Sequence, residues 1–348
     1  MYGKYVLKRI GYMILIYIIV IFIYSTLFNT VMEQTLEAQI KEQVQKEFMA
    51  LSDSNMTPKQ LDAWKQERMK GLLESYHLNE PVLNRIFWRA IEVLTFDFGK
   101  STIIKASDGT QDVLKIVAEK IPRTLLLFTT AIAINLFVGI TLGIKKAQKP
   151  GGKLDQSTSI MTMVVYGMPR WWLGMIMIMF LVFTIPIFPS GGLHSIPPPT
   201  GIAYYLDVLW HLILPVLTLV IIGFWGTAYI TRNIVLGTLQ EDYIMSARAR
   251  GLPESKVLYG HTLRSAAPPI ATMAVMALLG SLAGDLIFEG IFSWPGMGNL
   301  YWIAVQQNDI PVLLGNLAFT TILYLAGLVL LDVIYGFLDP RIKVGGRA

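Results

Sequence analysis

Long uncharged runs of apolar residues constrain this chain more than any other feature of its sequence. Five of these runs have about the length that an α-helix needs to cross a bilayer, roughly 20 residues. Only 15% of all residues are charged, whereas an ordinary soluble domain has about 25%. The sequence therefore predicts an all-α polytopic membrane protein. The five predicted spans are 10–31, 124–144, about 210–229, about 270–288 and 311–331.

A sixth apolar segment, 156–188, is interrupted by Pro169 and Arg170. Proline removes a helical hydrogen bond and bends a membrane helix, while neighbouring helices can satisfy the freed carbonyl. No polar turn long enough for a hairpin separates the two halves of this segment. We therefore expect one bent span here, and six transmembrane helices in total.

The placement of lysine and arginine predicts the orientation, because short cytoplasmic loops carry an excess of both. Basic residues lie at the N-terminus, after the second span, after the fourth span and in the C-terminal tail, whereas the short loops 189–206 and 289–310 have none. With six spans, all four basic segments lie on one side of the bilayer. We therefore expect both termini to be cytoplasmic.

This orientation divides the chain into three parts. Residues 1–31 would form the N-terminal tail and the first transmembrane helix, and 32–123 a polar extracytoplasmic helical insert. Residues 124–348 would form a transmembrane core with a cytoplasmic loop at 232–266.

The polar insert shows two helical patterns. Leu36, Ile40, Val44 and Phe48 recur every four residues, which predicts an amphipathic helix. Thr57, followed by proline, has the pattern of an N-cap that opens a second helix. We expect a small helical cap that packs on itself, and whether it also docks an extracytoplasmic partner is left open.

The usual patterns of catalytic and metal sites are missing from the sequence. It has no cysteine, and its four histidines do not fall at metal-ligand spacing. FGKST at 98–102 resembles the end of a phosphate loop, but Leu94 stands where a Walker motif needs glycine. Neither a G-x-S-x-G nor an H-E-x-x-H pattern occurs. We expect no catalytic residue, metal site or bound cofactor in this chain, and no nucleic-acid partner.

One compact basic segment, YIMSARARGLPESK (243–256), stands between two long apolar stretches. Gly251, Leu252 and a following proline break it into two short helices. Small residues at Ala247 and Ala249 would allow another surface to approach closely, and the arginines of this segment can pair with acids of a partner. The alternative is an interfacial helix whose arginines reach lipid phosphates.

Several segments resemble permeases in the oligopeptide/dipeptide class of ABC importers. EDYIMSARARGLPESKVLYGHTLRSAAPP (241–269) resembles the cytoplasmic loop of that family, and GMPRWWLG (167–174) its bent third span. EGIFSWPGMG (289–298) resembles its outer loop after the fifth span, and LDPRIK (338–343) its C-terminal end. YHLNEPVLNRIFWRA together with FDFGKS resembles the segment between its first two spans. The resemblance covers nearly all of the chain except about 33–74, which is longer than usual for the family.

The resemblance implies a coupling helix that docks into a cleft on an ATPase subunit. The broader importer pattern matches at Ala247 and Gly251, whereas Met245 and Ser246 stand in place of its Glu and its first Ala. The coupling residues that the family implies are Glu241, Asp242, Tyr243, Ser246, Ala247, Arg248, Ala249, Arg250, Gly251 and Leu252.

The family also implies how such a chain works. It would be a non-catalytic permease subunit in a prokaryotic cell membrane, forming half of a translocation pathway together with a second homologous permease. Two ATP-binding subunits would bind and hydrolyse Mg-ATP, and an extracytoplasmic solute-binding protein would deliver the solute.

The substrate class stays open between peptides, the default of the class, and oligosaccharides. Trp171, Trp172 and Trp225 offer stacking faces for sugar rings, but tryptophan is also the usual residue of membrane interfaces. A secondary transporter would need coupled ionisable residues in the membrane, and no acidic pair on facing broken helices is visible. A membrane-anchored enzyme or receptor built on the insert is a further alternative.

Two acidic residues lie close together near the predicted outer end of the fifth span. Glu289 falls on a glutamate of the family motif, and we expect it to help hold the outer loop. Asp285 stands where family members usually have a small or apolar residue, and a carboxylate at this depth is costly unless it meets water or a partner. One interpretation is that Asp285 caps backbone amides or pairs with the companion chain. The other is that it lines the substrate pathway with Glu289 and the three tryptophans.

Overall fold

The computed structural model describes residues 2–50, 57–282 and 284–338. Within these ranges every regular element is helical, and strand-like pairing is limited to one isolated bridge between Lys100 and Asp112. π-helical segments at Met179–Thr184 and Lys256–Thr262 continue α6 and precede α9. The helices are α1 (Tyr2–Ala50), α2 (Pro58–Ser75), α3 (Val82–Leu94), α4 (Val113–Gln148), α5 (Lys153–Tyr166), α6 (Arg170–Ile178), α7 (Ile202–Leu239), α8 (Asp242–Ala249), α9 (Leu263–Gly280), α10 (Leu286–Ile291), α11 (Met297–Gln306) and α12 (Ile310–Leu338).

The predicted number of membrane spans is confirmed. In the described part of the chain, five helices are long and apolar enough to cross a bilayer: α1, α4, α7, α9 with its preceding π-helical segment, and α12. The pair α5 and α6 makes a sixth span, bent by 93° where the helix stops after Tyr166 and resumes at Arg170. Pro169 has an extended backbone there, with ψ 133°, because proline cannot continue the hydrogen-bond ladder of α5.

Several predicted boundaries are wrong. The helices α1, α4 and α7 continue well beyond their apolar runs. In α1 and α4 the added turns contain lysine and glutamate, which also favour the helix. The helix α7 extends to Leu239, into the predicted cytoplasmic loop 232–266, while the rest of that loop contains the two short helical segments expected there. The span predicted at 270–288 ends at Gly280, and α10 is a separate short helix. Gly284, with φ +71°, lies in the break between them.

The described residues form two compact units, one within 1–9, 119–302 and 323–338 and one within 10–118 and 303–322. In the second unit, the amphipathic face predicted for α1 is confirmed, since Leu36, Ile40 and Val44 are buried and Phe48 is partly buried. The predicted start of α2 is also confirmed. Thr57 is its N-cap, and the Thr57 backbone N–H donates a hydrogen bond to Gln60 Oε1 over 2.9 Å.

In the first unit, α4 and α7 approach each other closely at glycines. A Cβ on Gly139 would lie 2.5 Å from the Thr227 side chain, and one on Gly143 would lie 2.6 Å from the Ala228 carbonyl oxygen. Small residues of this kind let membrane helices pack backbone against backbone. An apolar cluster next to this contact joins α4, α7, α8 and α9 through Ala147, Val235, Leu239, Ile244, Val257, Leu258 and Ala266.

Candidate functional site

The segment that follows α7 folds as a short helix, a turn and a π-helical turn. Glu241 precedes α8 in an extended conformation with ψ 143°. Gly251 follows the end of α8 and has φ +75°. This left-handed conformation is unfavourable for residues that carry a Cβ. The Gly251 N–H donates to the Arg248 carbonyl oxygen over 2.9 Å. The glycine therefore closes α8 and turns the chain towards the π-helical segment.

One face of α8 is attached to the apolar cluster of the first unit, and the other face is open. Ile244 and Ala247 are buried in or beside that cluster. Leu252 is partly buried against it. The sequence led us to expect both alanines on the surface that meets a partner, but Ala247 faces its own chain. The residues whose side chains remain exposed are Glu241, Asp242, Tyr243, Met245, Ser246, Ala249 and Arg250.

The two arginines of α8 and the following turn differ in their partners. Arg248 binds Glu254 of the same chain, with Nε 2.9 Å from Oε1 and Nη2 3.3 Å from Oε2. Arg250 donates from Nε to the Ser246 carbonyl oxygen over 3.4 Å and has no acidic partner among the described residues. Of these two arginines, Arg250 is therefore the one that an external acid can pair with.

A cleft of about 620 Å³ lies beside α8. The end of α4, the end of α7 and the π-helical segment form its walls. It combines apolar lining with polar groups at its edge, and Arg248 and Glu254 form part of that edge. Its lining residues are Ala147, Gln148, Lys149, Pro150, Leu236, Leu239, Gln240, Arg248, Glu254, Ser255, Leu258 and Tyr259.

A second cavity, of about 330 Å³, lies among α4, the start of α6, α7 and the end of α9. Most of its wall is apolar, and its polar side chains belong to Asn135, Arg170 and Thr227. The lining is Phe128, Ala131, Ile132, Asn135, Leu136, Arg170, Leu219, Gly223, Thr227, Ala277, Gly280 and Gly284.

The five residues predicted for the pathway do not line this cavity. Trp171 and Trp172 lie in the first turn of α6 and are exposed, next to the lining residue Arg170. Trp225 packs its ring against that of Phe224, with the ring centroids 4.2 Å apart. A role of these tryptophans in the pathway stays a prediction.

Asp285 is the N-cap of α10, with its Oδ1 accepting a hydrogen bond from the Phe288 backbone N–H over 3.0 Å. This contact corresponds to the capping interpretation. The carboxylate is partly buried, and a Cβ on Gly298 would lie 2.7 Å from the Asp285 carbonyl oxygen. The segment Phe292–Asn299, which comprises the loop after α10 and the first turn of α11, therefore packs directly on the start of α10.

Glu289 is fully buried under the same loop. Its Oε1 accepts from the Thr124 hydroxyl over 2.9 Å, and its Oε2 accepts from the Asn299 backbone N–H over 3.0 Å. Burial raises the pKa of Glu289 to about 7, although these hydrogen bonds favour the ionised carboxylate. The glutamate fastens the loop to α4, and a solute would reach it only if the loop moved.

Two side chains, those of Thr124 and Trp294, complete this attachment and were not predicted from the sequence. The Thr124 hydroxyl accepts from the Met297 backbone N–H over 2.7 Å while it donates to Glu289. Trp294 is fully buried, and its Nε1 donates to the Arg123 carbonyl oxygen over 2.9 Å. The signal available in the sequence was the dense SWPGMG stretch, whose proline and glycines indicate a fixed loop.

The fold and the site together define a class of protein. The chain is a multi-span membrane protein with a short exposed helix between its fourth and fifth spans and a cavity between its spans. This is the architecture of a transport component. Residues 136–344 match the model of the family described as "Binding-protein-dependent transport system inner membrane component", and the chain belongs to that family.

Curated relatives cover most of the chain. It is 31% identical to the oligopeptide transport system permease protein AppB of Bacillus subtilis, over 80% of this chain and 86% of the relative. It is also 31% identical to the dipeptide transport system permease protein DppB of the same organism, over 79% of this chain and 84% of the relative. With the peptidoglycan transport system permease protein YejB of Agrobacterium fabrum it shares 30% identity, over 81% and 77% of the two chains.

Proposed function

We propose that this protein is a permease subunit of an ABC importer for peptides. The observation that carries the proposal is the exposed helix α8, fixed between the fourth and fifth spans of a chain whose relatives are peptide permeases. The names of these relatives favour peptides over oligosaccharides as the substrate class. The chain would form half of the translocation pathway, and a second homologous permease would form the other half.

In this proposal α8 is the contact with a cytoplasmic ATPase subunit. Its buried face, Ile244 and Ala247, belongs to or adjoins the apolar cluster that also includes residues of α4, α7 and α9. A displacement of α8 would therefore move these three spans with it, because close-packed clusters transmit displacement rather than absorb it. The exposed face, with Tyr243, Ala249 and Arg250, would meet the ATPase.

The remaining partners follow from the same proposal. Two ATPase subunits would carry the Mg-ATP and all of the hydrolytic chemistry, so that this chain supplies no catalytic residue. An extracytoplasmic solute-binding protein would deliver the peptide. The exposed side chains of the insert, 32–123, offer that protein a surface to contact.

The proposed orientation has both termini and α8 in the cytoplasm and the insert outside. It is supported by the basic residues of the short loops. The chain has no cysteine, so single cysteines can be labelled cleanly. Lys59→Cys, in the insert, should react with a membrane-impermeant maleimide added to intact cells, and Lys149→Cys should react only after the membrane is opened. The reverse pattern would contradict the orientation.

Transport is tested with the complete complex in proteoliposomes. The two permeases, the ATPases and the cognate binding protein should together take up radiolabelled dipeptide in the presence of Mg-ATP. Omitting this chain, ATP or the binding protein should each abolish uptake. Uptake of a labelled oligosaccharide without uptake of any peptide would support an ABC importer but contradict peptides as its substrate class.

A further inference from the structure

The cavity of about 330 Å³ among α4, α6, α7 and α9 has the size of a small-ligand site. Ligand pockets in proteins start at about 300 Å³ and combine an apolar wall with a few placed polar groups. Here the wall is formed by residues such as Phe128, Leu136 and Leu219. The charged lining residue is Arg170, so the cavity is apolar on its walls and cationic at one point.

Arg170 is the first residue of α6, at the break of the bent span. Its guanidinium makes no hydrogen bond or ion pair with any residue in 2–50, 57–282 or 284–338. A guanidinium within a membrane-spanning segment is costly unless it meets water or a counter-charge, so its default interpretation is functional. The arginine side chain stays charged and presents paired N–H donors that match the two oxygens of a carboxylate.

Asn135 supplies a second polar group to the same cavity. Its Nδ2 donates to the Leu219 carbonyl oxygen over 3.4 Å, and its buried Oδ1 has no hydrogen-bond partner among the described residues. Gly223 packs against the amide, since a Cβ there would lie 2.3 Å from Nδ2. The amide is thus held in place in the wall of the cavity, and its Oδ1 is enclosed by the packing against Gly223 and is not open to a ligand.

We infer that this cavity binds the free C-terminal carboxylate of a short peptide, with the Arg170 guanidinium as the carboxylate-binding group. The apolar wall takes an adjoining hydrophobic side chain of the peptide. An uncharged oligosaccharide has no anionic group to pair with the guanidinium, although its hydroxyl oxygens can accept single hydrogen bonds. The inference rests on the proposed function, because it names the chemical group of the peptide that this permease recognises.

The test compares leucyl-phenylalanine with its C-terminal amide in proteoliposomes that hold the complete transporter. Each peptide is supplied at a concentration that saturates the binding protein. Differences in its affinity for that protein then do not affect uptake. The variants are Arg170→Gln and Arg170→Lys. Lys105→Gln, which removes one cation from an exposed loop that does not line the cavity, is the matched control.

We expect Arg170→Gln to lower the ratio of acid uptake to amide uptake at least tenfold. Arg170→Lys, which keeps the charge but loses the paired donors, should lower this ratio less, and Lys105→Gln should leave it unchanged. An unchanged ratio in Arg170→Gln, in complexes that purify intact, would overturn the inference while peptide uptake itself still supported the proposed function. Absence of ATP-dependent uptake of either peptide by the parent complex would instead remove the proposed function, and the inference with it.

Discussion

The carboxylate of Asp155 accepts two hydrogen bonds from the guanidinium of Arg232, 2.7 Å from Nη2 to Oδ2 and 3.2 Å from Nε to Oδ1. Lys146 Nζ lies 3.9 Å from Oδ1, and the Lys146 side chain is fully buried. The Gly151 backbone N–H also donates to Oδ2, over 3.0 Å. Asp155 therefore ties the start of α5 to the ends of α4 and α7, next to the cluster that carries α8.

Asp155→Asn should destabilise the protein strongly. The substitution leaves Lys146 and Arg232 without their counter-charge, and removing one partner of a buried ion pair costs about 3–5 kcal/mol. We expect a clear fall in the melting temperature of the purified protein in detergent. Adding Lys146→Met to Asp155→Asn should recover part of the loss, because one uncompensated charge is then gone. The control is Asp62→Asn on the exposed surface of α2, and a double variant no more stable than Asp155→Asn would refute the electrostatic explanation.

Ala249→Glu should uncouple the ATPase without harming the fold. Ala249 is exposed on α8, so that a glutamate there meets the partner and leaves the packing of its own chain intact. We expect normal thermal stability together with at least a tenfold loss of peptide-stimulated ATP hydrolysis in the reconstituted complex.

Ala247→Glu is the matched contrast to that variant. Ala247 is buried, and desolvation of an unpaired carboxylate at this position lowers the stability of the folded protein. It should therefore lower the melting temperature of the isolated protein even in the absence of partners. Equal behaviour of the two variants would mean that α8 has no separate docking face.

Gly251→Ala should destabilise the protein by about 1–2 kcal/mol, the cost of a left-handed conformation for a residue with a Cβ. Apart from Gly251 itself and its two chain neighbours, no described residue has an atom within 4 Å of the added Cβ, so the cost is conformational and not steric. Gly251→Asn should lose less, because asparagine tolerates this conformation better. Gly237→Ala, an exposed glycine inside α7 with equally open space, should be neutral or stabilising. Thermal unfolding of the three variants checks the order.

Glu289 should make stability depend on pH near neutrality. Its pKa is raised from 4.5 to about 7 in the folded protein, so the folded state binds the proton more tightly than the unfolded state. The stability that this contributes is fully present below pH 4.5 and is lost as the pH rises through about 7. The melting temperature of the parent should therefore fall between pH 5 and pH 8 by more than that of Glu289→Gln.

Asp108 provides the control for this dependence. Hydrogen bonds from Lys115 and Thr110 hold the pKa of Asp108 well below its usual range. It therefore stays ionised from pH 5 to pH 8. Asp108→Asn should keep the slope of the parent, and a slope that survives in Glu289→Gln would assign it to another group.

Thr124→Val should loosen the segment Phe292–Asn299 between α10 and the first turn of α11. Valine has the shape of threonine but cannot accept from the Met297 N–H or donate to Glu289. Each buried polar group left unsatisfied costs about 1–3 kcal/mol. Thr124→Ser keeps the hydroxyl and should stay close to the parent in thermal unfolding. A valine variant as stable as the serine variant would mean that these hydrogen bonds contribute little.

The sequence predicted the features that depend on local pattern. Apolar run length indicated the spans, and Pro169 marked the break of the bent one. The spacing of Leu36, Ile40 and Val44 identified the buried face of α1. The size of the bend was not predictable, because it depends on where α6 finds packing partners and not on the proline alone.

Helical phase explains the error at the two alanines. Residues two positions apart on a helix point about 200° apart, so Ala247 and Ala249 cannot share a face. Ile244 stands three positions before Ala247, a spacing that puts both on the same side. The sequence therefore contained the signal that Ala247 is an inward residue.

Contacts between distant residues escaped the sequence analysis for another reason. Asp155 and Arg232 are 77 positions apart, and Thr124 and Glu289 are 165 positions apart. Which helices face each other, and at which height along their axes, is set by packing of the whole unit. The motif around Glu289 indicated a held loop, but its partner on α4 was visible only in the structure.

The unbroken helix α1 sets a rule for how the insert can change in length. Met32, Leu36, Ile40 and Val44 are buried along one stripe that continues from the apolar run into the insert. Each residue added after Met32 would rotate the rest of the stripe by about 100° and advance it by about 1.5 Å. One or two added residues would turn the stripe towards solvent, whereas about seven, two full turns, would bring it back. Length differences among homologues in this stretch should therefore come in whole helical turns. Only such insertions keep the buried stripe on the same side of the helix.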